Sequence, residues 1–237
     1  MKRILFITGT DTGVGKTVLT ALLVKCLHEQ GVSAVALKPV CSGGRADARV
    51  LHAAMDGALA LDEINPWHFR APIAPLLAAQ RENKTVGLVQ VLARVRAMQK
   101  RSDVLLVEGA GGLLSPLGEG FDSRDLILAL RATPLIVAPN RLGVVNQALL
   151  TLEALPGYVR RRAKLVFMSP PRPDAATATN ASLLAEFFDA RRIFTLPWLG
   201  NNVPNGKAWK NSQVLQLLHA LTECDSKTRG RTHPKRN

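Results

Sequence analysis

The sequence predicts an α/β fold in which helices flank a doubly wound, mostly parallel β-sheet. Hydrophobic residues make up 47% of the 237 residues and aromatic residues only 5%, a mixture that suits helices packed on a buried sheet. Short apolar runs alternate with longer stretches of helical periodicity along the whole chain. A glycine-rich turn joins the first apolar run to the first helical stretch.

The apolar runs have the length of buried strands and the stretches between them have the length of helices. Right-handed crossovers between parallel strands bring ligands to the carboxyl ends of the strands. The predicted strands are Arg3–Thr8, Ala34–Lys38, Val104–Glu108, Leu135–Ala138, Leu165–Met168 and Ile193–Leu196. The predicted helices are Lys16–Glu29, Ala46–Met55, Val86–Lys100, Ser123–Arg131, Val144–Leu155, Ala181–Ala190 and Ser212–Thr222. The Pro-rich segment Asn65–Pro75 is predicted to be a loop.

Basic residues outnumber acidic ones, and the formal net charge is +13. Part of this charge lies in residues 225–237, which are polar, basic and predicted to be a disordered tail after a single domain of residues 1–224. The remainder is spread, with short runs at 160–164 and 191–192. Because no aromatic residues interleave with these runs, a solvated basic surface is favoured, and nonspecific polyanion binding stays open as the alternative.

Several classes of protein are disfavoured by composition. The three cysteines, Cys26, Cys41 and Cys224, show no paired spacing, which argues against a secreted disulfide scaffold. The histidines show no zinc-ligand spacing. The apolar run Ile4–Ile7 is too short for a signal peptide, and no stretch approaches the length of a membrane span. A cytoplasmic protein with no membrane association is therefore expected.

The most specific motif is the turn Thr8–Thr17, which follows an apolar strand and opens a helix. Its glycines let successive N–H groups point at phosphate oxygens, and the helix adds its positive end. The strict P-loop pattern would place its first glycine where Thr10 stands, and Gly9 comes one residue too early. The residues predicted to bind the nucleotide here are Gly13, Val14, Gly15, Lys16, Thr17 and Val18.

Two further strand ends carry charge. The predicted strand Val104–Glu108 ends in a carboxylate before a glycine cluster, a position where Mg²⁺ is held in P-loop proteins. Lys38 ends the second strand and should point towards the phosphates. Asp47 lies at the start of the next helix, where a carboxylate is also favoured by the helix dipole alone.

Together these motifs resemble the dethiobiotin synthetases, from about residue 3 to residue 200. The matching residues are the turn Thr8–Thr17, Lys38-Pro39-Val40 with Ser42-Gly43, Asp47-Ala48, Asn65-Pro66, Val107–Gly112 with Pro116-Leu117, Leu142-Gly143 with Asn146, and Pro197-Trp198-Leu199. The resemblance implies a single P-loop domain that works as a homodimer, with active sites near the subunit interface. It also implies that 7,8-diaminononanoate, CO2 and ATP are converted to dethiobiotin, ADP and phosphate, a ligase reaction of biotin biosynthesis.

The resemblance also assigns roles to individual residues. Lys16 and Lys38 would be catalytic, while Thr17, Asp47 and Glu108 would hold Mg²⁺. The substrate would be bound by Ser42, Gly143 and Asn146. Nucleotide contacts beyond the P-loop would come from Asp47, Glu108, Gly109, Ala110, Gly111, Pro197, Trp198 and Leu199.

One departure from the family pattern concerns the nucleotide base. The family often has an asparagine after its fifth strand to read adenine, whereas this chain has Val166–Pro171 without one. A glutamate sometimes found after Pro-Trp-Leu is also missing. We therefore expect weak discrimination among nucleoside triphosphates, with phosphate binding unaffected.

Two other classes of P-loop protein are rivals to the synthetase interpretation. Amide-forming P-loop synthases carry a glutaminase domain with a nucleophilic cysteine, for which this chain is too short. A partition-type ATPase acting on nucleic acid would fit the basic charge, but Asp11 stands where that class carries a signature lysine. The partition-type ATPase is kept as the alternative.

Overall fold

A computed structural model describes residues 2–200 and 210–223. Its centre is a six-stranded sheet in the order β2-β5-β1-β6-β7-β8, and every neighbouring pair is parallel. The doubly wound parallel fold predicted from the sequence is thereby confirmed. The strands of this sheet are β1 (Arg3–Gly9), β2 (Ala34–Leu37), β5 (Val104–Gly112), β6 (Thr133–Pro139), β7 (Lys164–Met168) and β8 (Ile193–Leu196).

Helices cover both faces of the sheet. They are α1 (Lys16–Glu29), α2 (Ala46–Ala54), α3 (Leu61–Ile64), α4 (Pro75–Arg81), α5 (Leu88–Gln99), α6 (Ser123–Leu130), α7 (Val144–Glu153), α8 (Gly157–Arg160), α9 (Ala175–Ala185) and α10 (Ser212–Thr222), with a short 3-10 helix at Ala190–Arg192. The core lies between the layers, because the central strands β1 and β5 are apolar and buried on both faces.

The structure differs from the sequence prediction in three respects. The predicted loop Asn65–Pro75 contains a strand, β4 (Trp67–His68), which pairs in parallel with β3 (Val40–Cys41) to form a second small sheet. Helices α3, α4 and α8 were not predicted, and all three are shorter than the window in which helical periodicity is visible.

The third difference is the position of α9, which was predicted at Ala181–Ala190 and is found at Ala175–Ala185. The prediction missed its true start because it followed the apolar residues. Asp174 caps the helix by accepting a hydrogen bond from the Thr177 amide at 2.8 Å, and the Thr177 hydroxyl accepts one from the Asp174 amide at 2.8 Å.

The carboxyl end of α10 is fixed to the amino edge of the sheet by two basic side chains. Lys164, which is buried, donates to the carbonyl oxygens of Ala220 at 2.8 Å and Glu223 at 2.9 Å. Arg3 donates to the carbonyl oxygen of Thr222 at 2.5 Å. These cations satisfy carbonyl groups that a helix end leaves without partners.

Within residues 2–200 and 210–223, none of the helices has the length and apolar character needed to cross a membrane. The predicted tail, residues 225–237, lies outside the described residues, as does Cys224.

Candidate active site

A cavity of about 600 Å³ opens at the carboxyl ends of β1, β2 and β5. Its walls come from the turn after β1, the segment after β2, the start of α2, the loop before α4 and the end of β5. The predicted site residues that line it are Gly13, Gly15, Lys16, Thr17, Val18, Lys38, Ser42, Asp47, Ala110 and Gly111.

The turn after β1 is held tight by glycines. Gly15 precedes α1 with φ 97°, in the left-handed region that favours glycine. Gly9 lies ahead of the standard P-loop slot, but it is needed for packing. A β-carbon there would come within 2.8 Å of Val14 Cγ2 and 2.9 Å of the Asp11 carbonyl oxygen. The shifted glycine is therefore part of how this loop closes.

Lys16, the first residue of α1, turns its side chain back into the loop. Its Nζ donates to the carbonyl oxygens of Asp11 and Gly111, each at 2.7 Å. Burial, and after it the nearby charge of Lys38, lowers the pKa of Lys16 to about 8. This ammonium thus links the P-loop to the end of β5.

A buried charge cluster lies beside the loop. Leu37 pairs with Val107 in the parallel β2–β5 ladder, so Lys38 and Glu108 follow side by side. Lys38 Nζ lies 2.6 Å from Glu108 Oε1 and 2.7 Å from Asp47 Oδ2. The Thr17 hydroxyl donates to the same Glu108 oxygen at 2.7 Å. The start of α1 and the end of β2 therefore both reach the Glu108 carboxylate, and Lys38 links it to Asp47 at the start of α2.

The protonation states in this cluster follow from its composition. Burial by itself would lower the pKa of Lys38, but Glu108 and Asp47 outweigh burial and raise it. Burial would raise the pKa of Asp47, and Lys38 outweighs it in the opposite direction, so that pKa is lowered. Lys38 is a fixed cation, and it faces an ionised Asp47.

One carboxylate oxygen of Glu108 takes no part in these contacts. Its Oε2 is buried and finds no hydrogen-bond partner among the described residues. A buried, unpartnered carboxylate oxygen is costly and marks a position for a ligand.

The opposite wall of the cavity is largely apolar and was missed from the sequence. It consists of Pro72, Ile73 and Ala74 from the loop before α4 and Pro75 at the start of that helix, together with Pro116. Ser42 joins the two walls, because its hydroxyl donates to the Ile73 carbonyl oxygen at 2.5 Å. The prolines of this loop were visible in the sequence, but nothing local indicated that the loop faces Lys38.

Other predicted residues lie outside the cavity lining. Val14 and Glu108 are buried behind the wall, and Gly109 packs inward, where a β-carbon would meet Ser123 Oγ at 2.6 Å. Gly143 and Asn146 are exposed at the start of α7. Pro197, Trp198 and Leu199 follow β8, and Trp198 is 48% exposed. Their assigned roles stay predictions.

Comparison with known proteins places this geometry in a family. Residues 3–205 match a family model described as an AAA domain. The ATP-dependent dethiobiotin synthetase BioD of Akkermansia muciniphila is 37% identical over 214 residues, which cover 90% of this chain and 98% of that protein. The chain belongs to the ATP-dependent dethiobiotin synthetases. The synthetase of Anaeromyxobacter sp. strain Fw109-5 is 48% identical over 155 residues, which cover 64% of this chain and 70% of the relative.

A solved structure shares the fold more distantly. The MinC:MinD cell division protein complex of Aquifex aeolicus is 15% identical, with a TM-score of 0.56 over 92% of this chain and 93% of that one. At this identity the likeness shows the P-loop fold alone. Membership among the dethiobiotin synthetases, which the much closer relatives establish, favours an ATP-dependent cyclo-ligase over the partition-type alternative.

Proposed function

We propose that this chain catalyses ATP-dependent ring closure of 7,8-diaminononanoate with CO2, giving dethiobiotin, ADP and phosphate in biotin biosynthesis. The observation that carries the proposal is the position of the Lys38, Glu108, Asp47 and Thr17 cluster. It lies against the P-loop, and its members Lys38, Asp47 and Thr17 line one cavity with that loop, so a phosphorylated intermediate and the triphosphate can share the same cations.

ATP phosphates would bind at the turn from Gly13 to Val18. The backbone amides there and the positive end of α1 favour anions. Lys16 already reaches two carbonyl oxygens with a flexible side chain, and a phosphate oxygen is a stronger acceptor for its ammonium. Pro197, Trp198 and Leu199 remain candidates for contacts with the rest of the nucleotide.

The residues around Glu108 suit Mg²⁺. The candidate ligands are the Thr17 hydroxyl and the carboxylates of Asp47 and Glu108, all oxygen donors of the kind this ion prefers. Glu108 Oε2 is the buried oxygen that lacks a partner. When bound, Mg²⁺ would neutralise charge on the phosphate oxygens.

The reaction needs a site that stabilises successive anions. One amine of the diamine adds to CO2, loses a proton and forms a carbamate. A carbamate oxygen attacks the terminal phosphorus of ATP and expels ADP. The second amine then attacks the carbamoyl carbon, loses a proton and expels phosphate. Because its pKa is raised by Glu108 and Asp47, Lys38 stays charged and acts by electrostatic stabilisation rather than as a base. Ser42 would contact the amine or the carbamate.

The carboxylate end of the substrate requires a separate site. Gly143 begins α7 in the left-handed conformation, with φ 86°, and it lies with Asn146 outside the residues that line the cavity. We assign this helix start to the substrate carboxylate, supplied by the second copy of a homodimer. A cytoplasmic location and the absence of a nucleic-acid partner stay predictions.

The test is turnover of the purified full chain with the diamine, bicarbonate and MgATP. Dethiobiotin is detected by mass spectrometry, and phosphate release is measured in parallel. We expect dethiobiotin to form with ADP in equal amounts, and we expect phosphate release to depend on the diamine. A rate of ATP hydrolysis that does not change with the diamine but rises with added DNA would contradict the proposal and support the partition-type alternative.

A further inference from the structure

Asn65 belongs to the family motif of this chain, but the mechanism above does not use it. It lies between α3 and β4, and it is fully buried. Its side-chain Nδ2 donates to the Lys38 carbonyl oxygen at 2.7 Å, and its Oδ1 accepts a hydrogen bond from Cys41 Sγ at 3.2 Å. A buried amide with both ends occupied holds its partners in one arrangement.

The segment that Asn65 contacts has left the main sheet. The β2–β5 ladder ends where Leu37 pairs with Val107. The next residue, Lys38, donates its amide to the Ile64 carbonyl oxygen at 3.0 Å and receives Asn65 at its own carbonyl oxygen. Pro39 follows and has no N–H to donate. The main chain of Lys38 is therefore held by residues 64 and 65 instead of by a neighbouring strand.

The same residue reaches the other carboxylate of the cluster through Arg45. The Asn65 carbonyl oxygen accepts a hydrogen bond from Arg45 Nη2 at 3.0 Å, and the same nitrogen donates to Leu61 at 2.7 Å. Arg45 immediately precedes α2, which carries Asp47 two residues further on. Asn65 thus connects the backbones that carry both partners of the Lys38–Asp47 ion pair.

We infer that Asn65 is a positioning residue, whose buried amide holds the Lys38 main chain so that the Lys38 ammonium meets Glu108 and Asp47 at the cavity. This inference rests on the proposed function for its kinetic consequence. The ion-pair distances of 2.6 and 2.7 Å leave little tolerance for a shift of the lysine backbone. Displacement of a catalytic group by about 1 Å can reduce turnover by about a hundredfold.

Two variants of the full chain test the inference. Asn65→Asp keeps the size of the side chain and an acceptor for Cys41 but, when ionised, loses the donor to Lys38. Asn65→Ala removes both bonds. We expect kcat to fall by about tenfold or more in each variant, because Lys38 acts in the chemical steps. The KM for ATP should stay within about threefold, since no bond of Asn65 reaches the P-loop.

The matched control is Lys164→Met, a buried substitution at the opposite edge of the sheet. It should lower the melting temperature while leaving kcat unchanged at temperatures where the protein is folded. An equal loss of kcat in this control would show that lost stability alone accounts for the effect and would overturn the inference. Asn65 variants that keep kcat within about threefold of wild type would overturn it as well.

A second readout does not depend on turnover. Pulse labelling with acetic anhydride, read by mass spectrometry, should modify Lys38 faster in both Asn65 variants than in the wild type, with Lys164 in the same chains as the reference. Labelling of Lys38 at the wild-type rate would overturn the inference whatever the kinetics. A wild-type chain that forms no dethiobiotin would instead sink the proposed function and leave this measurement to decide the role of Asn65.

Discussion

The two halves of the carboxyl edge of the sheet differ in how completely the site is built. At β2, β5 and β1, Lys38 and Thr17 both contact Glu108, at 2.6 and 2.7 Å, within one chain. At β6, β7 and β8, Gly143 and Trp198 are exposed and lie outside the cavity lining. Charges in the half at β2, β5 and β1 must be paired inside the chain because they are buried. Groups that recognise the ends of a ligand can stay exposed until that ligand or a second copy of the chain binds.

Among changes to the half at β2, β5 and β1, Lys16→Ala should reduce activity most. It removes the cation that would contact the transferred phosphoryl group, and we expect kcat to fall by about a hundredfold or more. The measurement is steady-state turnover at saturating ATP. Lys25→Ala on the same helix is the matched control and should keep its activity. Turnover of Lys16→Ala within about tenfold of wild type would show that this lysine does not act on the phosphates.

Glu108→Gln should affect both activity and stability. It leaves the buried Lys38 with only Asp47, whose side chain is 51% exposed, and it removes the unpartnered oxygen that would serve Mg²⁺. Loss of one partner from a buried ion pair destabilises a protein by about 3 kcal/mol, which chemical denaturation can measure. We expect kcat/KM to fall by at least about tenfold, because charge stabilisation in the site weakens.

The control for this change is Glu153→Gln, which breaks an exposed ion pair with Arg160. Exposed pairs contribute about 0 to 1 kcal/mol, so this variant should resemble the wild type in both assays. If Glu108→Gln matched Glu153→Gln, the buried cluster would have no special role, and the contrast between the two halves of the edge would disappear.

The half of the edge at β6, β7 and β8 should discriminate weakly among nucleotide bases. Met168 supplies no hydrogen bond for adenine, and its side chain packs against Gly15, where a β-carbon would come within 2.9 Å of Met168 Cε. The next three residues offer no free main-chain donor either, because the Ser169 amide donates to the Leu196 carbonyl oxygen at 2.9 Å and two prolines follow. We expect kcat/KM for GTP and CTP within about tenfold of that for ATP.

The test is the kcat/KM of the full chain for ATP, GTP and CTP under the same conditions. An ATP preference of about a hundredfold or more would mean that other groups read the base, with Pro197–Leu199 as the next candidates. That result would leave the synthetase function intact, since the phosphates bind at the other half of the edge.

The smallest effect is expected from removal of residues 226–237. This segment lies outside the described residues, and its polar, basic composition offers no apolar stripe to dock. Melting temperature and kcat should stay close to those of the full chain. A large drop in melting temperature would indicate that the tail packs, for example across a dimer.

Much of the half at β2, β5 and β1 could be predicted from the sequence because its motifs are local. The turn Thr8–Thr17 lies between an apolar run and a helical stretch, and Glu108 ends an apolar run before glycines. The loop that walls the cavity could not be found this way. Pro72 and Ile73 look like ordinary loop residues, and only their contacts with Ser42 and its neighbours make them part of the site.

Asn65 shows the same division in a single residue. The sequence marks Asn65-Pro66 as part of a family motif, but it says nothing about which groups the amide serves. The hydrogen bond from Asn65 to the Lys38 carbonyl oxygen depends on the end of β2 at Leu37 and on the pairing of β3 with β4. That pairing joins two short segments which have no strand pattern of their own.

The sequence by itself determined the order of the six strands of the main sheet and of the longer helices, the phosphate loop and the strand ends that carry Lys38 and Glu108. These features depend on residue type and on spacing over a few positions. The strand order β2-β5-β1 was decided by the tertiary structure, and it alone brings Lys38, Glu108 and Thr17 to one point. The reason is physical. Buried charges are tolerated only where distant segments meet to pair them, and such a meeting is a property of the packed chain, not of any local pattern.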